Sequence, residues 1–313
     1  MSRPATPVSR PGPVLGAHAP AAGGLARAAL AHADATGAQV LQVYVSNPRG
    51  WALSTGDPAQ DAAFRDGCAA RGITSYVHAS LLVNLGSPDA ATVERSARTL
   101  AHALQRAAAI GAAAVVYHAG SAVRADRLAA ALVQAGRVLR PLLDAPAGTG
   151  DDPPALLVEP SAGGGYSLAA RVEALAGYLA AADHHPRLGV CFDTCHAFAA
   201  GHDLAAPGQM AATLDALVHA AGPGRLKLLH ANDSKDPCGS TRDRHETIGA
   251  GRIGRDPFAA MLAHPALRGV PVVVETPSEG TAGHARDIAT LRELAPAPRT
   301  RAASGTRARR PAR

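Results

Sequence analysis

Short, nearly continuous apolar runs alternate along the chain with longer stretches in which Ala and Leu recur at helical spacing. The apolar runs cover residues 14–18, 40–46, 75–80, 113–119, 155–160, 188–194, 226–231 and 271–276. Most are β-branched or Leu-rich, as strands buried on both faces should be. The clearest helical stretches are 24–36, 90–110, 124–143, 167–182 and 209–221, with Asp89 and Ser167 expected as N-caps of two of them. Eight strand-then-helix units in about 280 residues predict a single-domain α/β protein, a (β/α)8 TIM barrel. A doubly wound sheet is the competing architecture, but it has no reason to use eight units. Three long connections, 47–58, 84–88 and 232–256, follow the second, third and seventh strands, and in a barrel they lie on the C-terminal face, where binding loops belong.

Composition narrows the picture. A chain of 313 residues that is 47% apolar can bury a core without disulfides. No apolar run approaches the roughly 18–20 residues a membrane span needs. Residues 1–13, rich in Pro, Ser and Arg, lack the apolar core of a secretory signal and read as a loose extension; 14–296 form the barrel domain; 297–313 read as a basic tail. The four cysteines, Cys68, Cys191, Cys195 and Cys238, form no regular framework and are expected as buried reduced thiols of a cytoplasmic protein. The net charge of +6 resides in the ends: six arginines at 299–313 and two at Arg3 and Arg10 leave −2 for residues 14–298. Bulk charge alone therefore does not imply nucleic acid.

The strand ends carry the chemistry. Six consecutive runs close on His78, His118, Glu159, Asp193, His230 and Glu275. One histidine in such a place is usually a hydrogen-bonded rim residue, whereas six ligating groups in register would be costly to bury unless cations satisfy them. Asp193-Thr-Cys-His196 adds a donor three residues further on, and Asp243-Arg-His245 adds two more from the long connection after the seventh strand. Imidazoles and carboxylates without thiolate suit a catalytic zinc or manganese site better than a structural Cys-type site. The nine candidate ligands include four carboxylates, so three divalent ions would leave the site near +2, attractive to a phosphodiester.

At this point the chain resembles the endonuclease IV family over roughly 14–295. The resemblance is carried by GAHAPAAGGL (16–25), His78-x-Ser-x-Leu-x-NLGSP, YHAGS (117–121), GVCFDTCHAFAAGHDL (189–204), LLHANDSK (228–235), DRHETIGAGRIG (243–254) and VVVETP (272–277). It implies three Zn2+ ions, with Mn2+ a possible partial substitute: His78 and His118 on one, Glu159 bridging to a second held by Asp193, His230 and Glu275, and His196, Asp243 and His245 on the third. It further implies a monomeric enzyme of base excision repair that hydrolyses the phosphodiester 5′ to an abasic site in duplex DNA, leaving a 3′-hydroxyl and a 5′ deoxyribose phosphate. Glu159 and Glu275 are the catalytic carboxylates, Glu275 orienting the nucleophile. Expected DNA contacts are Arg49, Leu81, Leu82, Lys235 and Arg244. The chain departs from the family at Pro160, where an Asn is usual, at Ala119 in the His118-Ala-Gly-Ser121 segment, and at Leu81 and Leu82, where a Tyr often stands. Trp51 is expected to pack under its loop, and His18 to hydrogen-bond a neighbour rather than bind zinc. His102, His184, His185, His219, His264 and His284 are expected to be exposed. Two alternatives stay open: a sugar isomerase or epimerase on the same barrel, and a DNA-damage binding protein without turnover.

Overall fold

The computed structural model describes residues 12–145, 153–277 and 280–296, so the expected extension and tail lie outside the described residues except for Gly12 and Pro13. In chain order the strands are β1 (Leu15–His18), β2 (Val40–Tyr44), β3 (Thr74–His78), β4 (Ala114–His118), β5 (Ala155–Glu159), β6 (Leu188–Asp193), β7 (Leu226–His230), β8 (Asp233–Ser234), β9 (His245–Glu246) and β10 (Val272–Val274). The helices are α1 (Leu25–Thr36), α2 (Pro58–Arg71), α3 (Ala90–Ala109), α4 (Leu128–Asp144), α5 (Leu175–Ala181), α6 (Thr194–Ala199), α7 (Gln209–Ala221), α8 (Arg255–Ala263) and α9 (Thr281–Leu294). Eight parallel strands close in the order β1-β10-β7-β6-β5-β4-β3-β2, while β8 and β9 form a separate antiparallel ribbon. The expected barrel is therefore present. Among the described residues no helix is long and apolar enough to cross a membrane.

Strand alternation sorts the side chains into two cores. One set fills the space between strands and helices. The other, including Val40, Tyr76, Val116, Leu157, Cys191 and Leu228, fills the barrel interior. Continuing the inward-facing set two residues further along each strand reaches Gln42, His78, His118, Glu159, Asp193 and His230. The same periodicity that builds the core thus caps it with polar groups. Two glycines keep the interior tight: a Cβ on Gly16 would lie 1.7 Å from the Val40 carbonyl oxygen, and one on Gly189 would lie 2.8 Å from Leu157 Cδ2.

Registry between neighbours sets the height of the polar layer. His118 pairs with Glu159 across β4–β5. On β6–β7, Val190 pairs with Leu226 but Cys191 with Leu228, so Lys227 is the extra residue of a bulge and Asp193 comes opposite His230. Without that bulge Asp193 would face Leu229.

Helix ends follow local chemistry. Asp89 caps α3, accepting from Ala91 N and Thr92 N, as expected. Ser167 does not cap a helix. Its hydroxyl bonds Ser161 Oγ and the Gly120 carbonyl, and regular structure resumes only at the 3-10 turn Val172–Ala174 that leads into α5. The expected helix at 167–182 is therefore shorter, and residues 160–171 form a further connection on the C-terminal face, with Gly163, Gly164 and Gly165 all at positive φ.

The longest connection is organised around one buried carboxylate. Asp233, on β8, accepts from Gly249 N at 3.0 Å, Gly251 N at 3.0 Å, Ile253 N at 2.9 Å, Gly254 N at 3.3 Å and Ser234 N at 2.8 Å. A Cβ on Gly251 would fall within 2.5 Å of both the Asp233 carboxylate and the Ser234 carbonyl. This knot fixes the return from β9, which bears His245, to α8. Asp233→Ala leaves several inward-facing N–H groups without an acceptor and is expected to cost about 1–3 kcal/mol or more of folding stability in urea denaturation. Gly251→Ala is expected to lower the midpoint in the same direction, while the exposed cap variant Asp89→Ala should lower it less.

Candidate metal centre

The inward columns bring the expected donors to one end of the barrel. Groups whose ligand atoms lie within 4.8 Å of one another comprise His78, His118 and Glu159; Glu159, Asp193, His230 and Glu275; and Asp193, His196 and His245, with Asp243 grouped beside His245. Asp193 ends β6 and also caps α6, accepting from His196 N at 2.8 Å, and this sets the second donor of the Asp-x-x-His pair above the first. Asp243 and His245 arrive on the ribbon.

Glu159 lies at the centre and is fully buried. Its Oε2 is 3.3 Å from His78 Nε2 and 3.5 Å from His118 Nε2; its Oε1 is 2.9 Å from His230 Nδ1 and 3.4 Å from His196 Nδ1. His230 Nδ1 also faces Glu275 Oε2 at 3.2 Å and Asp193 Oδ2 at 3.8 Å. On the far side, Asp243 reaches His196 Nε2 at 3.1 Å and His245 Nε2 at 2.9 Å.

The other nitrogen of four of these rings is fixed by an acceptor. His78 Nδ1 donates to the Ala79 carbonyl at 2.8 Å, His196 Nδ1 to the Pro160 carbonyl at 3.1 Å, His245 Nδ1 to the Glu275 carbonyl at 3.1 Å, and His230 Nε2 to Gln42 Oε1 at 2.9 Å. A carbonyl oxygen only accepts, so these contacts define which nitrogen bears the proton and turn the second lone pair toward carboxylates. Two acceptors facing each other require a cation between them, either a proton or a metal. His245 Nε2 is buried without a hydrogen-bond partner, although Asp243 lies beside it. The donor set and its orientation therefore fit divalent ions.

Electrostatics agree. Burial disfavours the charge of Glu159, but His230 and His196 overcome it and hold the carboxyl well below the usual range. Burial likewise opposes protonation of His196, yet Asp193 and Asp243 drive it well above the ordinary imidazole value. His245 rises to about 9 against burial, through its contact with Asp243. His118, where burial prevails, falls to about 4. Protons stand in for the positive charge the cluster demands. Two thiols also approach the donors, Cys191 below Glu159 and His230, and Cys195 beside Asp243 and His245. Burial pushes Cys191 up to about 12 and raises Cys195 as well.

The centre opens into a cavity of about 350 Å³ lined by His78, His118, Asp243, His245, Glu275 and Leu81. An adjoining cleft of about 380 Å³ shares Asp243, His245 and Glu275 and adds Lys235 and Arg244. Lys235 is exposed. The guanidinium of Arg244 is half exposed but already engaged by both carboxylate oxygens of Asp236, at 2.6 and 2.5 Å. Arg49, Leu81 and Leu82 are exposed on the connections after β2 and β3. These connections meet at the Pro48 carbonyl, which accepts from Ser80 Oγ and Leu81 N, each at 2.9 Å. Trp51 packs with the Arg95 guanidinium 5.5 Å from its ring centroid.

Two residues around the cluster, Gln42 and Asn232, escaped the sequence reading, whereas the hydrogen bond of His18 was expected. His18 does hydrogen-bond a neighbour, Glu275 Oε1 at 2.9 Å, and Gln42 joins the same carboxylate. Asn232 donates to Asp193 Oδ2 at 2.7 Å and accepts from Glu275 N at 2.8 Å. A lone amide inside an apolar strand, Gln42, was the available signal. The expected exposure of six histidines needs correction. His184 and His219 are exposed and His102, His185 and His264 half-buried, but His284 is buried because its ring bonds His32 Nε2 and the Thr276 carbonyl. Cys68, Cys191 and Cys195 are buried free thiols, while Cys238 is half-buried.

Residues 30–294 match the family model described as xylose isomerase-like TIM barrel. A probable endonuclease 4 from Streptomyces coelicolor is 52% identical over 94% of this chain and 99% of its own length. One from Nitratidesulfovibrio vulgaris is 37% identical over 90% and 99%. Among solved structures, endonuclease IV from Thermus thermophilus superimposes with a TM-score of 0.76 at 35% identity, covering 90% of this chain and 98% of that one. A D-allulose 3-epimerase from Methylomonas sp., at 18% identity and TM-score 0.57, shares the fold alone. With near full-length identity to these relatives and a closed barrel bearing the expected donor cluster, the chain belongs to the endonuclease IV family of xylose isomerase-like TIM barrels.

Proposed function

We propose that this protein is a zinc-dependent endonuclease that hydrolyses the phosphodiester 5′ to an abasic site in duplex DNA, leaving a 3′-hydroxyl and a 5′ deoxyribose phosphate. The observation that carries the reading is the cluster of imidazole lone pairs turned toward Glu159, Asp193, Asp243 and Glu275 at the floor of an open cavity. His78 and His118 would hold one ion, Glu159 bridging to a second held by Asp193, His230 and Glu275, and His196, Asp243 and His245 a third. Bound divalent ions supply Lewis acidity, a water acidified to a pKa near 7 and positive charge against the phosphate. Imidazole and carboxylate donors suit zinc, with manganese a partial substitute.

The residues divide the remaining work. Glu275 keeps Oε1 on His18 and Gln42 and turns Oε2 inward, where it can orient an attacking water and take its proton. Glu159 holds the two halves of the cluster at a fixed separation. Arg49, Leu81 and Leu82, on loops tied together at Pro48, form a wedge suited to the space vacated by an extruded nucleotide. Lys235 offers a phosphate contact, and Arg244 offers the donors that Asp236 leaves free. Pro160 lacks the side-chain amide of the usual Asn but still serves the site through its carbonyl, which orients His196. The protein acts as a cytoplasmic monomer in this reading, and its basic 297–313 segment adds charge that favours a polyanion.

His196→Ala or Asp193→Ala is expected to lose at least one ion and to lower nicking of an abasic-analogue duplex by more than about 100-fold, beyond the 10–100-fold typical of outer partners. Metal analysis and a gel assay on the same preparation check this; three retained ions with full nicking would exclude the assignment. Leu81→Ala with Leu82→Ala should leave metal content unchanged and weaken binding of abasic duplex about tenfold or more, as expected for lost apolar contact. Equal affinity of variant and wild type for that duplex would remove these leucines from the interface. A chelator should abolish nicking, and Zn2+ should restore it.

A further inference from the structure

Six barrel strands end in proposed ligands, and β1 and β2 do not. β1 closes on His18, the inward column of β2 carries Gln42 just below Tyr44, and the His18 and Gln42 side chains turn toward ligands on other strands. Gln42 is fully buried. Its Oε1 accepts from His230 Nε2 at 2.9 Å, and its Nε2 donates to Glu275 Oε1 at 2.6 Å. The same Nε2 lies 2.9 Å from His18 Nδ1, which is itself 2.9 Å from Glu275 Oε1. The amide can stand only one way round: a carboxylate cannot donate, so the NH2 end must face Glu275 and the oxygen must face His230. One side chain from a strand without ligands therefore touches two ligands from β7 and the end of β10, reaching past β1.

We propose that Gln42 is the positioning residue that sets both the tautomer of His230 and the orientation of Glu275. By accepting the Nε2 proton it leaves the Nδ1 lone pair of His230 for a metal. By tethering Oε1 of Glu275 it leaves Oε2 for the metal side of the cavity. An apolar residue of the same length would fill the volume but free both groups: His230 could reverse its tautomer, and Glu275 would be held by His18 alone. The inference rests on the reading of these residues as metal ligands.

The test compares wild type with Gln42→Met and Gln42→Leu. Metal-free proteins are titrated with Co2+ and Zn2+ against a chromophoric chelator, and loaded enzymes are assayed on abasic-analogue duplex. Expected for both variants are an ion affinity weakened about 10–100-fold, a changed Co2+ visible spectrum, and a similar fall in kcat with KM nearly unchanged. A residue needed only for folding would lower the melting temperature of the metal-free protein while leaving ion affinity and kcat of the folded fraction intact. That outcome overturns the inference. Should neither variant fold, nitrogen NMR of the zinc-loaded wild type decides: a slowly exchanging proton on His230 Nε2 supports the inference, and a proton on Nδ1 overturns it. A wild type that takes up no divalent ion overturns the metal reading and this inference together, whereas variants matching a metal-binding wild type overturn the inference alone.

Discussion

Four carboxylates held beside five imidazoles in a largely buried rim can coexist only if positive charge is placed between them. That electrostatic demand organises the rest of the molecule. It accounts for rings anchored through one nitrogen, for the central position of Glu159 between His78, His118, His196 and His230, and for imidazoles that retain protons well above their ordinary range. The barrel supplies the frame because its interior columns converge, so groups far apart in sequence are delivered to one depth without long flexible side chains.

The connections divide into those that hold and those that touch. The ribbon and the Asp233 knot hold: they convert a long crossover into a rigid arm that carries Asp243 and His245 to the cluster. The connections after β2 and β3 touch. They expose Arg49, Leu81 and Leu82 toward solvent and are tied together at the Pro48 and Gly50 carbonyls, so the two present one surface. The buried hydrogen bonds and the exposed side chains thus lie on different loops.

Much of this was legible in the sequence because strand alternation and strand ends are local properties. A residue that closes an apolar run is inward or outward by parity, and six of the nine donors needed only that reading, while His196, Asp243 and His245 came from short motifs beyond those runs. What was not legible depended on distant partners. Ser167 looks like a cap until Ser161 and the Gly120 carbonyl compete for its hydroxyl. His284 looks exposed on a helix until His32, 252 residues earlier, meets it. Arg244 reads as a free cation until Asp236 clasps it. Gln42 was visible as an oddity in an apolar strand, but its meaning required knowing which two side chains lie across the barrel. The connection at 160–171 was hidden because its three consecutive glycines carry no apolar pattern and gain their positive φ values only in the folded chain.

The extra residue at Lys227 has a further implication. Side chains in a strand are counted in twos, and the bulge shifts that count by one between β6 and β7, so the upper half of β7 is phased differently from its lower half with respect to its neighbour. The alignment of Asp193 with His230 is thereby written into backbone spacing. A lineage on this scaffold can change the tips of the connections after β2 and β3 without disturbing that alignment, whereas a one-residue deletion above the bulge, at Leu229, would set His230 beside Phe192 and turn it away from the cluster.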